Sequence, residues 1–202
     1  LQVSGTLTGI ALGIALFCDA ITDPLAGSIS DRLETRWGRR HPMMMGAALP
    51  LGVSIIALFN PPTGMSEMFY FGWLITFAVS ARLFLTLYHI PHLALGAEMA
   101  QDYLDRTRVY SFSQFFGTVG SAGFGFLMLT LFFPTTEEFS HGLLNSNGYG
   151  PFSIAAAVGV FVSISLCVVG TLREIPHLPP ANFKKFEPLK PQRLFREVTT
   201  AF

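Results

Sequence analysis

The chain has 202 residues, of which 50% are hydrophobic and 13% charged, with a formal net charge of zero. Soluble domains carry about 25% charged residues, so this composition, with a mean hydropathy of +0.48, excludes an ordinary water-soluble domain and points to a membrane protein. Zero net charge supplies no general attraction for nucleic acid, and the two cysteines, Cys18 and Cys167, sit singly in apolar runs, which excludes a disulfide scaffold.

Five stretches reach the roughly 20 mostly apolar residues that a bilayer-crossing helix needs. They are about residues 5–30, 42–60, 67–98, 109–133 and 151–172. The first carries Gly5, Gly9 and Gly13 four apart, a spacing that lets helix backbones approach in lipid. Deeper in it stand Asp19 and Asp23, at i and i+4 and therefore on one face. A charge near the bilayer centre costs at least about 2.5–3.5 kcal/mol. Two carboxylates on one face are therefore expected to line a polar cavity and hold a cation, with an internal salt bridge as the plainer alternative. Thr22 adds a hydroxyl, and Pro24 frees the Ala20 carbonyl from its helical partner.

The connection Asp31–Pro42 contains Arg32, Arg36, Gly38, Arg39 and Arg40. Arginines suit the negative end of a helix dipole. Gly38 is expected to turn the chain, and Pro42 fits the first turn of the next helix. The segment is read as a cytoplasmic gate, against the simpler role of fixing topology. The connection 61–66 has no Lys or Arg.

In the third span Arg82, Thr86 and His89 follow i, i+4, i+7 and share a face, with Tyr88, Pro91 and His92 beside them. A buried arginine stays charged, so Arg82 is expected to pair with Asp19 or Asp23, either as a structural bridge or while contacting substrate. A metal on His89 and His92 is not expected, because no carboxylate accompanies them. Glu98, Asp102 and Arg106 recur four apart, with Asp105 and Arg108 adjacent. They are read as a network with the arginine loop or as a solvated helix end, and Asp102 with Arg106 is a favourable helical pair.

Gly117, Ser121 and Gly125 form a second small-residue stripe in the fourth span, and residues 134–150 again lack Lys and Arg. Beyond Arg173 come Lys184, Lys185, Lys190, Arg193 and Arg196, then Leu194, Phe195, Val198 and Phe202 at helical spacing. That tail is expected to be an interfacial helix or the approach to a further span. With five crossings, twelve of the thirteen basic residues fall on one side. The positive-inside rule makes that side, including residues 173–202, cytoplasmic.

Two segments carry a family resemblance. One is Asp23-Pro24-x-x-Gly27-x-x-x-Asp31-Arg32-x-x-x-Arg36-x-Gly38-Arg39-Arg40-x-Pro42; the other is LYHIPHLALGAEMAQDYLDRTRV, residues 87–109. Together they resemble the glycoside–pentoside–hexuronide:cation symporters of the major facilitator superfamily, over most of residues 1–175. The resemblance implies an all-α fold of two six-helix bundles. Residues 1–175 would supply family helices two to six of the first bundle, and residues 176–202 a cytoplasmic inter-bundle linker. The chain would then be part of a longer transporter, which accounts for an external start with no signal peptide and an odd number of spans.

It also implies a cation site at Asp19, Thr22, Asp23 and Thr86 for H⁺ or Na⁺, with no other cofactor. The family's sugar-binding aspartate, tryptophan and arginine fall here on His89, Leu93 and Gln114. Arg82, Tyr88, His89 and Gln114 are taken as the substrate-binding set. The implied partners are a sugar or glycoside, the lipid bilayer of the cell (inner) membrane, and the remainder of the same chain, with no nucleic acid. Neither a nucleophile–base constellation nor a phosphate loop is present, so an enzyme is not expected. A lipid or lysophospholipid carrier and a non-transporting membrane scaffold or sensor are the rival readings.

Arg82 stands about 15 residues into its span, roughly 22 Å along the helix, and Asp19 about 14 residues into the first. Equal depth makes Asp19 the expected partner of Arg82. Asp23 is left as the protonated group, which points to proton coupling.

Overall fold

A computed structural model describes residues 3–33, 35–100, 102–135, 139 and 141–178. Five long helices follow one another: α1 (Gly5–Arg32), α2 (His41–Phe59), α3 (Glu67–Met99), α4 (Tyr103–Phe132) and α5 (Tyr149–Thr171). Short 3₁₀ turns lie at Gly142–Leu144, Ser146–Gly148 and Leu172–His177, and no strand occurs among the described residues. All five helices are long and apolar enough to cross a membrane. Each covers most of an expected span; α1 and α4 reach further at the arginine-rich end. The tail from residue 179 onward, with its proposed linker and helical spacing, lies outside the described residues.

Local chemistry explains where the helices begin. Ser4 and Ser66 precede α1 and α3, and their hydroxyls accept from the Leu7 and Phe69 N–H groups. Pro42 lies in the first turn of α2, where its missing N–H costs nothing. The turn before it needs Gly38, whose φ of 78° is left-handed backbone that disfavours a Cβ. Thr35 Oγ1 accepts from the Trp37 N–H at 3.1 Å and donates to the Gly38 carbonyl at 2.8 Å, closing that turn.

Two helix pairs, themselves joined by an extensive contact between α2 and α3, define the assembly. In the first, α1 runs parallel to α3. Ser4 meets Glu67, Asp19 meets Arg82, Asp23 meets Thr86 and Gly27 meets Ile90, each pair 63 residues apart in sequence. One register therefore holds along the whole interface. In the second, α2 runs antiparallel to α5. Asn60 donates to Ser153 Oγ at 2.8 Å at one end, and His41 Nε2 lies 3.0 Å from Thr171 Oγ1 at the other. Between them Gly52 faces Ala157, where an added Cβ would stand 3.5 Å from the alanine methyl.

Between the pairs, Met44, Ala48 and Leu51 of α2 pack with Leu95 of α3 and Ile164 and Val168 of α5. The Trp73 indole N–H also donates to the Ala57 carbonyl at 2.8 Å, tying α3 to α2. Helix α4 meets its neighbours only lightly, and along it Met128 alone is buried. The glycine stripes of α1 and α4 face open space: nothing lies within 4 Å of a Cβ built at Gly5, Gly9, Gly13, Gly117 or Gly125.

Candidate functional site

Two polar clusters interrupt the apolar helices, one near mid-span and one at the arginine-rich end. The first joins α1 to α3. The Asp23 and Thr86 pair lies one turn beyond the Asp19 and Arg82 pair on both helices, so the shared register brings both into contact. An Arg82 Nη1–H donates to Asp19 Oδ2 in an ion pair. Thr86 Oγ1, a buried hydroxyl, donates to Asp23 Oδ1 at 2.9 Å. The Thr22 hydroxyl turns to its own helix, toward the Asp19 carbonyl at 3.5 Å. Arg82 takes Asp19, the partner expected from equal depth, and Asp23 has a neutral hydroxyl instead.

The electrostatics follow. Two carboxylates one helical turn apart repel, and a cation within about 4–6 Å relieves the repulsion. Arg82 does this for Asp19 from within the protein. The cluster of Asp19, Asp23 and Arg82 retains one net negative charge while both carboxyls are ionised.

The remaining mid-span candidates are dispersed. His89 is on the Thr86 side of α3 and is exposed. Tyr88 is on the other side. It packs against the core, and its ring stacks on His92 at 5.3 Å between centroids. His92 Nδ1 in turn lies 3.5 Å from Cys167 Sγ on α5. Tyr88 thus lies off the face shared by Arg82 and Thr86, because a helix turns it about 200° away from Thr86. Gln114 lies on the open face of α4, alongside Arg106, Tyr110 and Thr118.

The second cluster joins α1, the arginine loop and α3. Arg40 is 6% exposed and reaches three groups: Ser30 Oγ at 3.0 Å, Asp31 Oδ1 at 2.6 Å and Glu98 Oε1 at 2.7 Å. Arg39 adds a second contact to Glu98 Oε1 at 3.4 Å. One buried guanidinium thus ties the ends of α1 and α3 together over the start of α2. Ser30 is fully buried in this cluster, and the sequence reading passed over it because a lone helical serine has no distinguishing pattern. His41 with Thr171 was also missed, since residues so far apart in sequence carry no spacing signal.

Of the other expected members of this network, Arg32 ends α1 and Arg36 is exposed in the loop. Asp102 pairs with no basic side chain among the described residues, which corrects the expected pairing of Asp102 with Arg106. Asp102 is the residue preceding α4, and its backbone carbonyl receives the Arg106 N–H. Arg106 instead donates to the Ala97 carbonyl at 3.4 Å, and Asp105 pairs with Arg108 at 3.2 Å.

Comparison with known proteins agrees with this architecture. The family model described as MFS/sugar transport protein matches residues 1–201. An uncharacterized symporter of Synechocystis is 34% identical over 124 residues, covering 59% of this chain and 23% of that protein. The inner membrane symporter YicJ of Escherichia coli is 28% identical over 179 residues, covering 88% of this chain and 37% of its own length. The isoprimeverose transporter of Lactiplantibacillus pentosus is 24% identical over 170 residues, with coverages of 83% and 34%. The chain therefore spans between 23% and 37% of the length of these curated relatives.

Proposed function

The chain belongs to the MFS/sugar transport protein family, and on that premise we propose that the protein carrying it is a secondary active symporter of a sugar or glycoside, driven by H⁺ or Na⁺. The observation that carries this reading is the mid-span contact of Asp19 and Asp23 on α1 with Arg82 and Thr86 on α3. Ionisable groups at that depth are costly and mark ion or substrate pathways. They are matched here as donor and acceptor across one helix interface, with one net charge left for a coupling ion. His89 and the polar stripe of α4 that holds Gln114 would meet the sugar. The sugar itself follows from the relatives alone: two are named a lactose permease and an isoprimeverose transporter.

In this reading the protein lies in the cell membrane with the arginine-rich helix ends in the cytoplasm. Alternating access would expose the mid-span site to each side in turn. The Arg40 cluster would act as the cytoplasmic latch, favouring the conformation in which α1 and α3 close over the start of α2. The test is reconstitution of the full-length protein in proteoliposomes with labelled lactose and isoprimeverose. Accumulation driven by an inward H⁺ or Na⁺ gradient, and collapsed by the matching ionophore, is expected. Movement of labelled lysophospholipid with neither sugar transported would overturn the reading in favour of a lipid carrier.

A further inference from the structure

We infer that Arg82 is a tethered cation that makes this site select a proton over Na⁺, and is therefore the determinant of coupling-ion specificity. The inference rests on the symport reading above and names the ion. It begins from the geometry of the four residues that meet between α1 and α3. Arg82 Nη1 is bound to Asp19 Oδ2, while Asp23 is bound only by the Thr86 hydroxyl at 2.9 Å. The guanidinium thus occupies the place beside Asp19 that a mobile cation would otherwise take.

Charge alone does not separate H⁺ from Na⁺, because either would neutralise the single remaining negative charge. Ligand supply does. Hard cations bind through several oxygens at once, whereas a proton needs one. With Arg82 in place, one Asp19 oxygen is committed to a group that carries only donors. A metal ion at Asp23 would also sit close to a fixed positive charge. Asp23 has its second oxygen, Oδ2, outside the Thr86 bond, which suffices for a proton. Without Arg82, both carboxylates and the hydroxyl oxygens of Thr86 and Thr22 could turn to one ion.

A positive charge within about 4–6 Å of a carboxylate lowers its proton affinity by about 10- to 1,000-fold, and a bound Na⁺ meets the same repulsion. Arg82→Gln should therefore strengthen Na⁺ binding by at least about tenfold.

The experiment uses purified full-length protein in detergent, with ²²Na⁺ as the probe, so it needs no sugar. Wild type is expected to show no saturable ²²Na⁺ binding in the millimolar range, and its melting temperature should be the same in Na⁺ as in choline. Arg82→Gln should gain saturable binding that Asp23→Asn removes when added to it. Arg82→Lys should remain blind to Na⁺. Saturable wild-type binding that is lost in Asp23→Asn would overturn the inference, and it can be read even if Arg82→Gln does not fold. A folded Arg82→Gln protein that fails to bind Na⁺ would overturn it as well. Loss of sugar transport with the ion results intact would instead count against the symport reading alone.

Discussion

Arg40 and Arg82 carry opposite burdens at two depths of the same helix interface. Arg82 pairs with one carboxylate and about two-fifths of its side chain is uncovered by the described residues, so removing it strands a carboxylate in an incompletely enclosed site. Breaking a fully buried pair costs about 3–5 kcal/mol, and partial exposure should bring Arg82→Ala below that, to about 2 kcal/mol. Adding Asp19→Asn should recover part of the loss, read as folded yield and melting temperature of the full-length protein. A double variant no better than Arg82→Ala would remove the pairing from the account. Arg40 is nearly fully buried and serves Ser30, Asp31 and Glu98 together. Arg40→Ala should leave membrane insertion intact yet change the inward–outward balance by about 1–3 kcal/mol, a usual size for coupling between conformations. Slowed transport with normal expression is the expected readout, and unchanged kinetics would reduce the cluster to a topology signal.

At the scale of helices, the limits of the segments were legible because a bilayer demands long apolar runs and the breaks carry Asn60-Pro61-Pro62, Arg39-Arg40 or Asn145-Ser146-Asn147. Which faces meet was legible only where a polar residue marked them. Asp19, Asp23, Arg82 and Thr86 point to their own contact, since no such group can be left facing lipid without cost. Along most of α2 and α5 the helices are apolar on every side, so polarity does not separate an inward face from a lipid face. Small residues decide there instead. Gly52 permits α2 to lie on Ala157 of α5, while Gly9 and Gly117 have nothing within 4 Å, and all three look alike in sequence. Gly52→Leu should push α2 and α5 apart and destabilise the protein by about 1–3 kcal/mol, as overpacking does. The same substitution leaving the melting temperature of the full-length protein unchanged would mean that α2 and α5 do not pack as described.

For the molecule as a whole, the loop charges foretold the alternation of helix ends, and the constant register between α1 and α3 agrees with both running the same way. The residues proposed to meet the sugar were less legible. His89 and Gln114 lie on open faces of α3 and α4, so their partners do not lie within the described residues, and Tyr88 turned inward because its helical phase differs from that of Thr86. The topology can be checked with single cysteines in a background lacking Cys18 and Cys167. Thr63→Cys and Ser146→Cys, both exposed at the end opposite the arginines, should react with an impermeant thiol reagent in intact cells. Thr35→Cys should react only after permeabilisation, and its labelling from outside would invert the model. The central claim is that the α1–α3 contact couples an ion to sugar movement, and Asp23→Asn tests it most directly. Proteoliposomes would be assayed for gradient-driven accumulation and for counterflow exchange of whichever of labelled lactose and isoprimeverose the wild type carries. The account predicts that Asp23→Asn abolishes accumulation and keeps exchange. Accumulation at the wild-type level in Asp23→Asn would contradict it.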